Sequence, residues 1–358
     1  MTTGRERLRI AQVAPLWMRV PPPDYGGAEL MVHWLTEELV RTGHDVTLFA
    51  SGDSATSASL HATSDRGIVE KMRDGAAYQY EGYTVSALAQ ALQRASEFDV
   101  IHSHIGPIGL ALGRVTKTPV VHTVHAGLDS VDEHWLLAQH PDAAVVAISD
   151  SQVATVDARR RRSITTIYHG MDFAKYEPSA DHDGYVVFLG RMAPYKNPAG
   201  AIRIARAVGL PIVLVGKPQN GSERRYFDEE VAPLVDGQTV RYVGAVAQEE
   251  KVHLLQRAAA LVFPIEWDEH FGLVMIEAMS CGTPVAALKR GSVPEVVEPG
   301  TTGDYASSED ELAALLPSIV ALDRVNVAHR ARERFSVERM TSEYVTVYRA
   351  LVRRRASP

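Results

Sequence analysis

The sequence predicts an α/β protein made of two doubly wound parallel-sheet domains, and three observations point there. Short apolar runs alternate with longer helical patterns through nearly all of the 358 residues, as repeated βαβ units require. The alternation is broken once, at the polar stretch 172–184 with Pro178, Asp181, His182 and Asp183, which has the makeup of a linker carrying a hinge. The length suits two domains that each bury a core, and 46% hydrophobic with 23% charged residues is close to the soluble globular average.

In the first half, 8–14, 45–50, 99–104, 119–125, 143–149 and 164–169 read as strands of one parallel sheet. The clearest helix between them is 28–42, stopped by Gly43, after which His44 and Asp45 lead into the next strand. The second half repeats the pattern with strands at 185–189, 211–215, 239–243, 261–265 and 284–288. The segment 337–353 alternates apolar and basic residues at helical spacing and reads as an amphipathic helix. The domains are therefore 1–172 and 173–336, followed by that helix.

The formal net charge of −7 gives no basic excess, so nucleic acid is not an expected partner. The basic runs 159–162 and 353–355 read as solvated faces, with peripheral contact to anionic lipid at the inner face of a membrane as the other reading. The polar N-terminus runs straight into a strand and suggests neither a signal peptide nor a membrane span, so a cytoplasmic location is expected. Cys281, the single cysteine, reads as a small buried residue.

Three loops at strand ends carry candidate chemistry. In 269–277 two carboxylates, Glu269 and Glu277, flank a Phe-Gly break: Glu269 falls in the loop after a strand and Glu277 on the following helix. The start of that helix, at Gly272, Leu273 and Val274, offers unpaired N–H groups to an anion. Arg191 and Lys196 leave one loop after the strand 185–189, a fork and a point charge suited to a pyrophosphate. Gly26 and Gly27 open the first long helix and allow close backbone approach, while a Gly-x-Gly-x-x-Gly fingerprint is missing, which argues against a nicotinamide or flavin enzyme.

Histidines pair at His102 and His104 and again at His122 and His125, but no cysteine or clear carboxylate completes a zinc site. His125, followed by Ala126 and Gly127, is the better candidate for a hydrogen bond to substrate. Asp181 and Asp183 read as surface residues. Glu295 is a weaker site candidate, because Ser292 and Pro294 could simply start a helix.

Together these segments resemble the retaining glycosyltransferases of glycosyltransferase family 4. The resemblance rests on Glu269 to Glu277 with Phe271-Gly272-Leu273, on Ala278-Met279-Ser280-Cys281-Gly282-Thr283-Pro284, on Gly190-Arg191 through Lys196, and on Gly26-Gly27-Ala28-Glu29. Ile148-Ser149 and His169-Gly170-Met171-Asp172 also sit where members carry a serine turn and a short link between domains. It implies the GT-B fold: two Rossmann-like domains facing a cleft, with the terminal helix, about 337–358, crossing back to the first domain.

The resemblance also implies roles. Arg191 and Lys196 would neutralise the diphosphate of a nucleotide-sugar donor, and Glu277 would accept hydrogen bonds from ribose hydroxyls. Glu269 would hold hydroxyls of the donor sugar, with His125 near the reacting carbon. Backbone around Lys217 and Val246 would meet the base, and no cofactor or metal is implied. A saccharide, lipid-linked or small-molecule hydroxyl acceptor would lie on variable loops of the first domain, where Tyr25, His104 and Trp135 are the candidates. Gly300-Thr301-Thr302-Gly303 runs into Asp304-Tyr305 where members often continue with an apolar pair. A sugar-nucleotide epimerase or phosphorylase of the same fold, and a non-catalytic nucleotide-sugar binder, stay open as alternatives.

Overall fold

The computed structural model describes residues 7–23 and 26–356. It divides into unit 1, Met1–Met171 with Val337–Pro358, and unit 2, Asp172–Ser336. Unit 1 contains β1 (Arg9–Val13), β2 (Asp45–Ser51), β3 (Ser59–Ser64), β4 (Val100–Ser103), β5 (Val120–Thr123), β6 (Ala144–Ala147) and β7 (Thr165–Thr166). They form one parallel sheet in the order β3-β2-β1-β4-β5-β6-β7.

Successive strand residues point to opposite faces, and both faces of this sheet are covered. Ile10, Leu48, Val100 and Val121 pack with Leu35 and Leu39 of the helix Gly27–Arg41 and with Tyr344 and Tyr348 of the helix Val337–Ala356. Ala11, Phe49 and Ile101 pack on the other side with Leu88 and Ala91 of the helix Glu81–Gln93. The last helix is thus part of the unit 1 core although more than 160 residues of unit 2 precede it in sequence.

Unit 2 contains β8 (Val186–Leu189), β9 (Ile212–Val215), β10 (Val240–Gly244), β11 (Ala260–Phe263), β12 (Val285–Leu288) and β13 (Gly303–Ala306). They form a second parallel sheet in the order β10-β9-β8-β11-β12-β13. Val186, Phe188, Val262 and Ala286 pack with Ile202 of the helix Pro198–Ala207 and Leu316 of the helix Glu309–Val320. Each sheet reverses its winding once, between β1 and β4 and between β8 and β11. Ligands of such sheets bind beyond the carboxyl ends of the strands at these switch points.

Three expectations are corrected. The edge strands β3 and β13 were not anticipated: β3 is a largely exposed polar strand and β13 is the four-residue run Gly-Asp-Tyr-Ala, so neither has the apolar run of an interior strand. The strand read over 261–265 ends at Phe263, because Pro264 cannot donate to a ladder. The segment 172–184 is no free linker. Tyr176 is 2% exposed, Ser179 N–H bonds the Cys281 carbonyl at 3.0 Å, and Asp183 N–H bonds that of Arg257 at 2.8 Å, all within unit 2.

Candidate active site

In unit 2, the loops after β8 and β11 converge because those strands are neighbours. Asn197 adopts a left-handed conformation (φ 55°, ψ 51°), which asparagine tolerates better than most residues. Its Oδ1 caps the next helix at Gly200 N–H (2.8 Å), while its Nδ2 donates to the Pro264 carbonyl (3.2 Å) and to Glu309 (2.9 Å). That clamp fixes the preceding residue, Lys196. Its Nζ lies 2.6 Å from Glu269 Oε2, and the two side chains are only 12% and 11% exposed. Trp267 (5.0 Å), Phe263 (5.7 Å) and Tyr195 (5.9 Å) stand within cation–π range of the ammonium.

Glu269 is held through its backbone as well. Its carbonyl accepts from Ser292 N–H at 2.8 Å, and Gly291, at φ 49°, lies so close that a Cβ would overlap it. Ser292 is the residue before the short helix Val293–Val296, but its hydroxyl makes no cap bond, contrary to the expectation; Glu295 lies on that helix. Gly272, at φ 78°, turns the chain into the helix Leu273–Ser280. The N–H groups of Leu273 and Val274, both half-buried, have no acceptor within that helix, while that of Met275 donates to the Gly272 carbonyl at 2.9 Å.

Arg191 pairs with the buried carboxylate of Glu223 and lies 5.7 Å from the Tyr195 ring centroid. Glu223 is held in turn by Gln219 N–H at 2.7 Å and by the Asn220 cap on its own N–H. Glu277, 6% exposed, accepts from Lys251 Nζ (2.6 Å) and from Tyr176 Oη (2.7 Å) on one oxygen. Gln248 Nε2 donates to that phenol at 2.7 Å. Burial, then the neighbouring carboxylate, push the Tyr176 phenol well above its ordinary range, so it stays a donor. Lys217 is exposed just beyond β9, and Val246 is half-buried just beyond β10.

In unit 1, Gly26 precedes the helix that starts at Gly27, and a Cβ on Gly26 would collide with Met18 and Pro22. Tyr25 lies outside the described residues. Glu29 in the first turn is 4% exposed, accepts from Met18 N–H at 3.3 Å, and has its carboxyl pKa raised by burial. Trp135 stands 59% exposed on the helix Val131–Gln139, whose start is closed by a Ser130–Glu133 capping box.

His104 is corrected as an acceptor-binding residue. It is 2% exposed, with Nε2 2.8 Å from Gln12 Oε1 and Nδ1 3.0 Å from His125 Nε2, so neither ring nitrogen is left for a ligand. His102 is engaged likewise, by Tyr348 Oη (2.6 Å) and Thr123 Oγ1 (2.7 Å). His125 stacks between His104 and His169, each at 5.3 Å between centroids, and burial brings its pKa down to about 4. Gln152 holds the loop around it by donating to the carbonyls of Val124 (2.9 Å) and Ala126. Among the described residues no group of three or more His, Cys, Asp or Glu could hold a metal ion.

Other sequence readings also acquire a structural setting. Cys281 is fully buried, with its thiol pushed up to about 12 by desolvation. Within 159–162, Arg160 is structural, donating to the carbonyls of His140 (3.3 Å) and Ala143 (3.0 Å). Among the described residues no single helix is long and apolar enough to cross a membrane. Glu223, Lys251 and Tyr176 were not identified from sequence. Only Glu223 had a local signal, the Asn-x-x-Glu start of a helix.

Residues 172–334 match the family described as glycosyl transferases group 1, and residues 25–175 match glycosyltransferase family 4. The D-inositol 3-phosphate glycosyltransferase of Mycolicibacterium paratuberculosis is 26% identical, over 92% of this chain and 87% of its own. The glycogen synthase of Mycobacterium tuberculosis is 27% identical, over 90% and 89%. A solved glycosyltransferase of avilamycin A biosynthesis superposes with a TM-score of 0.71 at 25% identity, covering 97% of this chain and 98% of the other. Sucrose-phosphate synthase of Thermosynechococcus elongatus shares the fold at 0.77, 22% identical, covering 97% and 100%. Anabaena HepE, solved with UDP and glucose, shares it at 0.71, 22% identical, covering 96% and 100%.

Proposed function

The chain belongs to the family 4, group 1 glycosyltransferases, and from that premise we propose that it moves a sugar from a UDP- or GDP-sugar to a hydroxyl acceptor. We assign the donor to unit 2, the acceptor to unit 1, and the transfer to a metal-independent, retaining route. The observation that carries this reading is the convergence of Arg191, Lys196 and the first turn of Leu273–Ser280 beyond β8 and β11. Two cations and a helix N-terminus suit a diphosphate. HepE, a protein of the same fold, binds UDP, which supports the donor class.

Each residue has a task under this reading. Arg191 and Lys196, now paired with Glu223 and Glu269, exchange those carboxylates for the donor diphosphate and stabilise it as it leaves. Glu277 accepts from ribose hydroxyls, with Lys251 and Tyr176 fixing its orientation. Glu269 binds hydroxyls of the donor sugar, and His125 contacts the sugar near the reacting carbon. The backbone near Lys217 and Val246 meets the base.

Bonds break and form on one face of the sugar. The anomeric carbon leaves the phosphate oxygen and joins the acceptor oxygen, while the acceptor proton passes to that phosphate oxygen, so no enzyme base is needed. The competing route is a double displacement through a carboxylate, for which Glu269 is the candidate. Incubating Glu269→Gln with donor, acceptor and azide separates the two: the same-face route predicts a large loss without rescue. Azide rescue, or a glycosyl ester trapped on Glu269, contradicts it.

A further inference from the structure

Seven buried or half-buried side chains of unit 1 form one continuous hydrogen-bonded chain that ends on His125. It runs from Tyr344 Oη to Thr123 Oγ1 (3.0 Å), to His102 Nε2 (2.7 Å), and from His102 Nδ1 to Tyr348 Oη (2.6 Å). Gln12 Nε2 then donates to Tyr348 Oη (3.2 Å), while Gln12 Oε1 faces His104 Nε2 (2.8 Å), and His104 Nδ1 faces His125 Nε2 (3.0 Å). Gln12, His102, Thr123, Tyr344 and Tyr348 are fully buried. The members come from β1, from β4 and β5 and the residues just beyond their ends, and from one face of the last helix, where Tyr344 and Tyr348 are four residues apart.

We infer that Gln12, His104 and Tyr348 are positioning residues that set His125 in one tautomer, with the proton on Nε2 and a bare Nδ1 offered to a hydroxyl of the bound sugar. A phenol or a neutral imidazole has one proton to give, so each bond fixes the direction of the next. Burial keeps His102 and His104 neutral. Only the Gln12 amide has chemically distinct ends, and its oxygen faces His104. His104 Nε2–H therefore donates to Gln12, and its bare Nδ1 accepts from His125 Nε2–H. His125 Nδ1 is left as an acceptor, and that atom is buried without a protein partner among the described residues. A ligand O–H completes it.

The tautomer stands on the geometry of the chain and the neutrality of its buried rings; its use on a sugar hydroxyl rests on the transferase reading. The test is a two-bond 1H–15N correlation spectrum of the full-length, 15N-histidine-labelled protein without ligand. His125 is assigned by its loss in His125→Gln. The expected result is an Nε2-protonated, Nδ1-bare His125 from about pH 6 to about pH 8. Gln12→Met, similar in volume, and Tyr348→Phe, which frees the amide to turn, should both mix the tautomers. Gln12→Met should also lower kcat/KM for the donor about tenfold or more.

A wild-type His125 protonated on Nδ1, or a tautomer unmoved in both variants, overturns the inference. Mixed tautomers with unchanged kcat/KM overturn its positioning part. If no nucleotide sugar is turned over by any protein while the spectra behave as expected, the transferase reading fails and the tautomer assignment stands.

Discussion

Lys196 Nζ lies 2.6 Å from Glu269 Oε2, joining two residues 73 positions apart at the carboxyl ends of neighbouring strands. The pair is nearly buried and walled by aromatic rings, so each charge depends on the other until a ligand arrives. Under the proposed function Lys196→Ala removes a cation from the leaving diphosphate, and it leaves Glu269 buried without its partner. Its kcat should fall by about 10²-fold to 10³-fold, measured as nucleotide release at saturating donor. A variant within a few-fold of wild type would show that Lys196 does not touch the reacting groups.

Under the proposed function Glu277 is the counterpart for the ribose, and its partners make a separate prediction. Lys251→Met removes a charged hydrogen bond from a buried carboxylate, which should weaken nucleoside-diphosphate binding about tenfold by calorimetry. Inorganic pyrophosphate, which has no ribose, should bind both proteins alike. Equal weakening of both ligands would instead place Lys251 on the diphosphate.

Gly291 carries the backbone side of the same site. Alanine there would meet the Glu269 carbonyl at a left-handed φ, so Gly291→Ala should lose about 1–3 kcal/mol of stability together with most activity. Gly237 has a similar φ of 77° but open space around it, so Gly237→Ala should cost only about 1 kcal/mol and keep activity. Chemical denaturation with parallel assays checks both. Full activity in Gly291→Ala would dissociate that loop from the site.

The buried histidines set a pH dependence. His122 and His125 are brought from 6.5 down to about 4 by burial, and His102, His104 and His169 are lowered well below 6.5, chiefly by burial with the neighbouring rings adding to it. These rings are neutral when folded and take up protons once unfolded, so the unfolded state binds more protons and stability falls as pH drops. The contribution is fully present above about pH 6.5 and is lost toward about pH 4, at about 1.4 kcal/mol per pH unit for each histidine. Glu29, raised by burial, acts in the opposite sense. Denaturant midpoints should hold from about pH 7.5 to about pH 6.5 and then fall toward about pH 5; a flat profile would mean the rings take up protons in the folded protein as they do once unfolded.

Much of this architecture was legible in the sequence because interior parallel strands are apolar on both faces. The apolar runs 185–189 and 261–265 announce themselves, the second read two residues too long, and with them the loops that hold Arg191, Lys196 and Glu269. The edge strands Ser59–Ser64 and Gly303–Ala306 did not, since an edge needs no apolar run. The partners were hidden for a different reason. Lys251 sits in a charged helical stretch that looks like any solvated face, and Tyr176 in a stretch that looks like a linker. Each gains meaning only from Glu277, distant in sequence. His104 was misjudged because a strand-end histidine can point into a core as readily as toward a ligand, and Gln12, which holds it, is a single polar residue inside an apolar strand.

Under the proposed function unit 2 binds a nucleotide-diphosphate sugar and the enzyme transfers its sugar. The most direct measurement is thermal shift and free-nucleotide release from a panel of UDP-, GDP- and ADP-sugars, with EDTA present and with or without an acceptor-containing cell extract. Stabilisation by a UDP- or GDP-sugar is expected, with release that rises when the extract is added. Stabilisation by none of the panel, or release only when a divalent ion is restored, would contradict it.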